Sequence, residues 1–304
     1  VSLVVLIWGA DLLVAQSEKI ALRFKISEYV IGATLVALGT SLPEMATSIT
    51  ASLNDKPHLA ISNVIGSNIL NITLVLATVF ILSKNIKPHR DFFAKDSSWA
   101  LFPVLIFSVM ASQNQFDRFD GFLLILLMVA YIIFLMNSES DILSSENKES
   151  GSEEQFQWSK TLFLLTLGFI LVIFGADYTV SSASKIAESL GVSEWIIGII
   201  MISLGTSMPE LVVSIVASLK GKADMAIGNI IGSNMANITV VLGGAALVNG
   251  LNIDMKSYIF DVSIMVIATL MLVFITANRM YSKSAGISLF VLLTLFLRHT
   301  IGSI

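Results

Sequence analysis

The sequence predicts an all-α polytopic membrane protein, with ten transmembrane helices arranged as two inverted five-helix repeats and discontinuous helices at a buried polar site. Three observations lead there. The chain of 304 residues is 55% hydrophobic and 13% charged, with mean hydropathy +0.84, whereas a soluble domain is about 25% charged. Apolar runs of about 20 residues, enough to cross ~30 Å of hydrocarbon as helix, recur along its length. The first half of the chain also returns, in part residue for residue, in the second.

The runs fall at about 1–22, 28–53, 59–82, 97–113, 119–136, 159–188, 194–219, 223–248, 256–277 and 284–303. They are too long for barrel strands, and open strand edges cannot face lipid, so they are read as helices. The first is short and starts on Val1 rather than Met, which suggests residues before it; no cleavable signal peptide is visible. The absence of Cys excludes disulfides and thiolate metal sites. The net charge of −4 comes largely from one loop and gives no sign of a nucleic-acid partner.

That loop, 137–158, is the one extended polar stretch. It reads as a disordered acidic linker between a first half, 1–136, and a second, 159–304. Asp141, Glu146, Glu149, Glu153 and Glu154 lack the alternating acids and central Gly of an EF-hand, so a calcium-sensing loop is not expected. Orientation follows from Lys and Arg in the short loops. With the N-terminus outside, 13 of them, from Lys19 to Lys283, fall on the cytoplasmic side and 5 (Lys56, Arg118, Lys185, Lys256, Arg298) outside. The linker is then cytoplasmic and the cell membrane is the expected location.

An offset of 166 positions aligns "GADLLVAQSEKIA" (Gly9 to Ala21) with "GADYTVSSASKIA" (Gly175 to Ala187). The same offset aligns "SEYVIGATLVALGTSLPEMATSITASL" with "SEWIIGIIMISLGTSMPELVVSIVASL", and "NVIGSNILNITLVL" with "NIIGSNMANITVVL". Roughly half the positions from Gly9 to Leu76 are identical without a gap, which marks a structural repeat. Five helices per half is odd, so the second half enters the membrane from the opposite side. The repeats, about 28–83 and 194–248 for their most similar parts, are therefore related by a pseudo-two-fold axis in the membrane plane.

That axis brings "LGTSLPE" and "LGTSMPE" together near the midplane. Pro43 and Pro209 lack an N–H and free carbonyls around Gly39, Thr40, Gly205 and Thr206; in lipid these must line a cavity. Glu44 and Glu210 place carboxylates at the same depth, and Ser41 and Ser207 add hydroxyls. A charge at a helix centre costs about 2.5–3.5 kcal/mol on insertion scales, and no Lys, Arg or His shares that depth. The compensating charge is a proton or a bound cation.

"GSNILN" and "GSNMAN" supply Ser67, Asn68 and Asn71, and Ser233, Asn234 and Asn237, with Ser and Asn at i and i+4 on one helix face. Carboxylates, carbonyls, hydroxyls and amide oxygens form a hard-cation set, suited to calcium and sodium and poor for zinc or copper. Packing explains a lone Ser or Asn equally well, but it does not need two symmetric glutamates. The Asn-Ile-Thr sequons at Asn71 and Asn237 are mid-helix and carry no glycan. Asp11 and Asp177 read as helix anchors rather than cation ligands. His58, His89 and His299 are dispersed, and the Met residues are packing.

Paired "GTS-PE" and "G-SN" segments in inverted repeats resemble the alpha-repeats of the cation/calcium exchanger superfamily, most closely its sodium/calcium exchangers. The resemblance covers both repeats and the five-plus-five layout. It implies calcium at Glu44, Glu210 and the carbonyls of Thr40 and Thr206. It implies sodium or shared contacts at Ala37, Ser41, Ser67 and Asn71, and at Ser203, Ser207, Ser233 and Asn237, and a sliding first helix in each half. Some family members carry Asp where Asn237 stands, including those that co-transport potassium, so Asn here disfavours a potassium-dependent mode. Ser203 stands opposite Ala37 and Ser62 opposite Gly228, so the halves differ.

The expected function is an antiporter, not an enzyme, exchanging three sodium ions for one calcium ion electrogenically and without potassium or any cofactor. Its partners are these ions and the lipid bilayer, with no nucleic acid; the residues leave the oligomeric state open and are compatible with a monomer. A proton/calcium antiporter is the alternative, although the "GNxxE" pattern of that branch is replaced by "GNIIGSN". A cation channel would use similar ligands, but inverted repeats with broken helices fit alternating access better. A hydrolase on Ser41 or Ser207 lacks a general base at that depth.

Overall fold

The computed structural model describes residues 1–83, 88, 91–143, 156–190, 194–252 and 254–302. It contains the ten helical spans in the expected order. They are α1 (Ser2–Phe24), α2 (Glu28–Thr40 and Leu42–Leu53, bent by 46°), α3 (Pro57–Leu82), α4 (Phe92–Ala111) and α5 (Arg118–Leu143). The second half has α6 (Trp158–Ser189), α7 (Glu194–Leu219), α8 (Ala223–Val248), α9 (Ile259–Ala277) and α10 (Lys283–Gly302). A two-residue pair, β1 (Gln115–Phe116) with antiparallel β2 (Leu251–Asn252), ties two loops together.

Local chemistry sets the boundaries. The left-handed Lys25 ends α1, and the Ser27 hydroxyl accepts the Val30 N–H to start α2. Asp91 caps α4 by accepting from Ala94 N–H at 3.1 Å, which begins this helix about a turn earlier than the apolar run. The helix of α5 continues to Leu143, into the stretch read as linker, because no Gly or Pro stops it there; residues 144–155 lie outside the described residues. Wider π-type turns interrupt α2 at Gly32–Val36, α3 at Asn71–Leu76 and α8 at Asn237–Val241. Such turns often mark functional positions in a helix.

Burial sorts the spans. In their most apolar windows α3 is 83% buried and α8 78% buried, whereas α5 and α6 are 28% buried and present Leu, Ile and Phe to lipid. Among the described residues, five helices are long and apolar enough to cross a bilayer individually, and the bent α2 makes a sixth.

The apolar interior has two parts. A large core joins α2 to α5 with α8 to α10, around Ile61, Ile65, Ile69, Phe80, Tyr131, Ile230 and Leu242. A smaller one lies where α1 and α6 pack against the bundle, built from Leu6, Leu13 and Val14 with Val172 and Ala176, closed by Val36, Val213 and Met225. The α1–α6 seam is tight: a Cβ at Gly9 would lie 2.7 Å from Leu171 Cβ, and one at its repeat equivalent, Gly175, 2.9 Å from Leu6 Cα.

Polar contacts between loops fall into two sets, as alternating crossings require. On one face Arg279 pairs with Asp91 at 3.2 Å, Ser83 meets Ser218, and Lys222 bridges Glu18 and Glu28. On the other, His58 Nδ1 lies 2.8 Å from the Tyr258 hydroxyl and Asn249 donates to Asp55 at 2.7 Å. Partial burial pulls the Lys222 ammonium down, but its bonds to Glu18 and Glu28 more than offset this and hold it above its usual value.

Gly9→Val is expected to destabilise the protein by about 1–3 kcal/mol through overpacking of the α1–α6 seam. Thermal unfolding in detergent, compared with Gly244→Ala, where a Cβ would make only ordinary contact with Ile49 at 3.7 Å, measures it; equal melting temperatures would contradict the close approach.

Candidate cation site

The two "LGTS-PE" segments meet across the bundle. In α2 the backbone leaves helical geometry at Ser41 (φ −83, ψ 8), and Pro43 opens the second leg, where its missing N–H costs nothing further. The second copy differs from the expectation of a matching break: α7 runs through Pro209 without a turn. A proline removes one donor, and a helix continues past it when the flanking dihedrals stay helical; in α2 the Ser41 departure adds the bend.

Ala37, Thr40, Ser41, Glu44, Ser67 and Asn71 are buried, as are Ser207, Glu210, Ser233 and Asn237, and Thr206 is partly buried. The Ser203 side chain lies outside the described residues. The carboxylates of Glu44 and Glu210 are close enough to repel each other. Among the described residues no ion pair reaches either of them.

Oxygen surrounds both. Ser41 donates to Glu210 Oε1 at 3.0 Å and Ser233 to the same atom at 3.4 Å, so one repeat braces the carboxylate of the other. The equivalent bond from Ser207 to Glu44 is not formed. Among the described residues Ser207 Oγ, Ser67 Oγ, Asn71 Oδ1, Glu210 Oε2, both Glu44 oxygens and the whole Asn237 amide lack a hydrogen-bond partner of good geometry. So many orphaned polar atoms would be costly in an apolar interior, and a hard cation would satisfy the oxygens among them.

The amides are distributed otherwise than by spacing alone. Asn71 Nδ2 donates to Asn234 Oδ1 at 3.0 Å, which leaves the Asn71 carbonyl oxygen free. Asn68 donates to Val64 O at 2.8 Å and accepts at its backbone from Asn234. Asp11 is ion-paired to Lys220 at 2.5 Å, as the anchoring role requires, whereas Asp177 is exposed. His58 and His299 contact aromatic rings away from the site, and His89 lies outside the described residues.

Four polar residues close to the site were not singled out by motif. Asn63 and Asn229, one helix turn before the "GSN" segments, are buried and hydrogen-bonded to Ser48 and Ser214 at 2.9 and 3.0 Å. Their identity at the 166 offset was the available signal. A groove of about 440 Å³ beside Ala46, Thr47, Thr50, Asn54 and Lys56 runs along the second leg of α2 beyond Glu44. The equivalent positions in the second repeat are Val212, Val213, Val216, Lys220 and Lys222; the valines pack in the smaller apolar core and the lysines are ion-paired.

In metal-free buffer containing chelator, Glu44→Gln is expected to raise the melting temperature, because it replaces a buried acid, whose oxygens lack hydrogen-bond partners of good geometry, by a neutral amide. Glu210→Gln is expected to gain less, since Ser41 and Ser233 already serve that carboxylate. Scanning fluorimetry of both variants would contradict the described asymmetry if Glu210→Gln gained more.

Comparison with known proteins agrees with an all-α polytopic membrane fold. Residues 1–137 and 160–302 match the sodium/calcium exchanger protein family. An uncharacterized membrane protein of Methanocaldococcus jannaschii, MJ0091, is 37% identical over 89% of this chain and 86% of its own. The sodium/calcium exchanger MaX1 of Methanosarcina acetivorans is 32% identical over 97% and 95%. A solved structure of the sodium-calcium exchanger NCX_Mj, soaked with sodium and calcium, superposes with TM-score 0.81 at 32% identity, over 97% of this chain and 95% of that one. With a family match over both halves and relatives of this similarity along nearly its whole length, the chain belongs to the sodium/calcium exchanger protein family of membrane antiporters.

Proposed function

We propose that this antiporter exchanges sodium for calcium at one site formed by both repeats, three sodium ions against one calcium ion, without potassium. The observation that carries the reading is the pair of buried carboxylates, Glu44 and Glu210, that repel each other and meet no basic side chain among the described residues. One calcium ion neutralises them and three sodium ions exceed them by one charge, so the ions compete for the same oxygens. Mutual exclusion of this kind is what coupled exchange requires. Each cycle then moves one net charge, worth about 2.3 kcal/mol at 100 mV.

In this reading Glu44, Glu210 and the carbonyls of Thr40 and Thr206 hold calcium. Sodium uses Ala37, Ser41, Ser67 and Asn71 with Ser203, Ser207, Ser233 and Asn237. The unpartnered oxygens of Glu44, Ser67, Asn71, Ser207 and Asn237 support it. Amides rather than acids at 71 and 237 keep the central charge at the two glutamates, which is why potassium is not needed. The halves 1–136 and 159–304 sit with the N-terminus outside the cell membrane and the linker 137–158 in the cytoplasm. Access alternates as α1 and α6, which share the smaller core, slide along the larger one.

Calcium uptake into proteoliposomes under separately imposed sodium, potassium and proton gradients tests this. Sodium alone is expected to drive uptake and to build a membrane potential, and Glu44→Gln or Glu210→Gln to reduce it at least ~100-fold. Uptake driven by a pH jump without sodium would favour proton exchange at the same carboxylates. A strict need for potassium would overturn the role given to Asn237.

A further inference from the structure

The threonines of the two motifs each face a choice of acceptor. Thr40 Oγ1 lies 3.2 Å from Ala37 O and 3.3 Å from Asn229 Oδ1, and its hydroxyl also faces the Glu210 carboxylate. Thr206 Oγ1 lies 3.5 Å from Asn63 Oδ1 and faces the Glu44 carboxylate. Both asparagines come from the other repeat. Each is held by its own amide: Asn63 Nδ2 donates to Ser48 Oγ at 2.9 Å and to Glu44 O at 3.2 Å, and Asn229 Nδ2 to Ser214 Oγ at 3.0 Å. With the amide donors committed in this way, each side-chain carbonyl is turned toward the opposite threonine.

A hydroxyl has one proton to donate. When that proton lies on a glutamate oxygen, or on Ala37 O, which already accepts the Ser41 N–H at 3.0 Å, it occupies an electron pair that a cation needs. An acceptor that takes the proton elsewhere leaves the carboxylate and the carbonyl to the ion. We propose that Asn63 and Asn229 are positioning residues for cation binding: the side-chain carbonyl of each accepts the hydroxyl hydrogen bond of the opposite repeat's threonine, Thr206 or Thr40, when a cation occupies the glutamates. The pairs are crossed between repeats, so they also keep the two half-sites in one register. This rests on the reading of Glu44 and Glu210 as the cation ligands.

The test uses the full chain in proteoliposomes, with calcium-concentration dependence of sodium-driven uptake as the readout. Asn63→Leu and Asn229→Leu are each expected to raise half-saturating calcium about 3- to 10-fold, the worth of one hydrogen bond, with the maximal rate changed less than about twofold. Thr40→Val and Thr206→Val should do the same, and Thr40→Ser and Thr206→Ser, which keep the hydroxyl, should recover most of the affinity that the valines lose. Double variants decide the mechanism. The crossed pairs 63/206 and 40/229 are expected to be no weaker than their worse single member, while the same-repeat pairs 40/63 and 206/229 multiply.

If either leucine variant does not fold, Asn63→Ser and Asn229→Ser, too short to reach the threonine, replace it with the same expectation. Unchanged calcium affinity in the asparagine variants, or equal coupling in crossed and same-repeat pairs, would overturn the proposal. A fall in maximal rate at unchanged affinity would mean a purely structural role and overturn it too. Failure of the parent protein to take up calcium in a sodium gradient would instead refute the function on which the proposal rests.

Discussion

Repulsion between two carboxylates held together in an apolar bundle is the constraint on which the rest of the structure depends. A pair of negative charges with no basic neighbour is tolerable in a membrane only if oxygens converge around it and a mobile positive ion can enter. The helices are sorted accordingly. Those that carry the polar motifs, α2, α3, α7 and α8, lie inside, and α3 and α8 are the most buried apolar spans described. The outer surface of α5 is mainly Leu, Ile, Val and Phe, whereas α6 exposes Leu162, Phe163, Ile170 and Phe174 along its first part and Asp177 and Tyr178 after them.

Inverted repetition solves a geometric problem for such a site. One helix hairpin offers a single carboxylate and a few hydroxyls from one side; its inverted copy supplies the matching set from the other, and each half braces its opposite. The bracing is unequal. Ser41 serves Glu210 while Ser207 leaves Glu44 alone, α2 bends while α7 does not, and Thr47 and Thr50 line a groove where their counterparts Val213 and Val216 pack in the smaller core. The two half-sites are therefore related by sequence without being copies in structure.

Much of this was legible in the residues themselves. Composition and run lengths predict ten helices, and the ungapped offset of 166 predicts the inverted halves and the meeting of Glu44 with Glu210. Periodicity says where a helix is apolar, not where a cap can start it, so α4 begins at Phe92 under Asp91, ahead of its apolar run. The bend at Ser41 without a counterpart at Pro209 is equally hidden, because both segments read "LGTS-PE" and the difference lies in backbone dihedrals set by packing. Asn63 and Asn229 sat in the aligned repeats in plain view. Their importance depends on contacts of opposite helices, 143 and 189 positions apart in sequence, that no local pattern encodes.

The separation of the two cores bears on how such a site could face alternate sides. A cage whose ligands are tied across repeats by Ser41 to Glu210, Thr40 to Asn229 and Asn71 to Asn234 resists being pulled apart, since each tie spans the pseudo-two-fold axis. Rocking one half against the other would break all of them together, at roughly 1 kcal/mol for each neutral bond and more for the charged one. The pair α1 and α6 carries none of these ligands and shares a smaller apolar core. The close approach at Gly9 and Gly175 locks the two helices to each other, and the ion pairs of α1 to Lys220 and Lys222 lie at one membrane face, where water can replace them. Sliding that pair across an intact cage disturbs apolar contacts that re-form at a new register, and it is the least costly motion the packing allows.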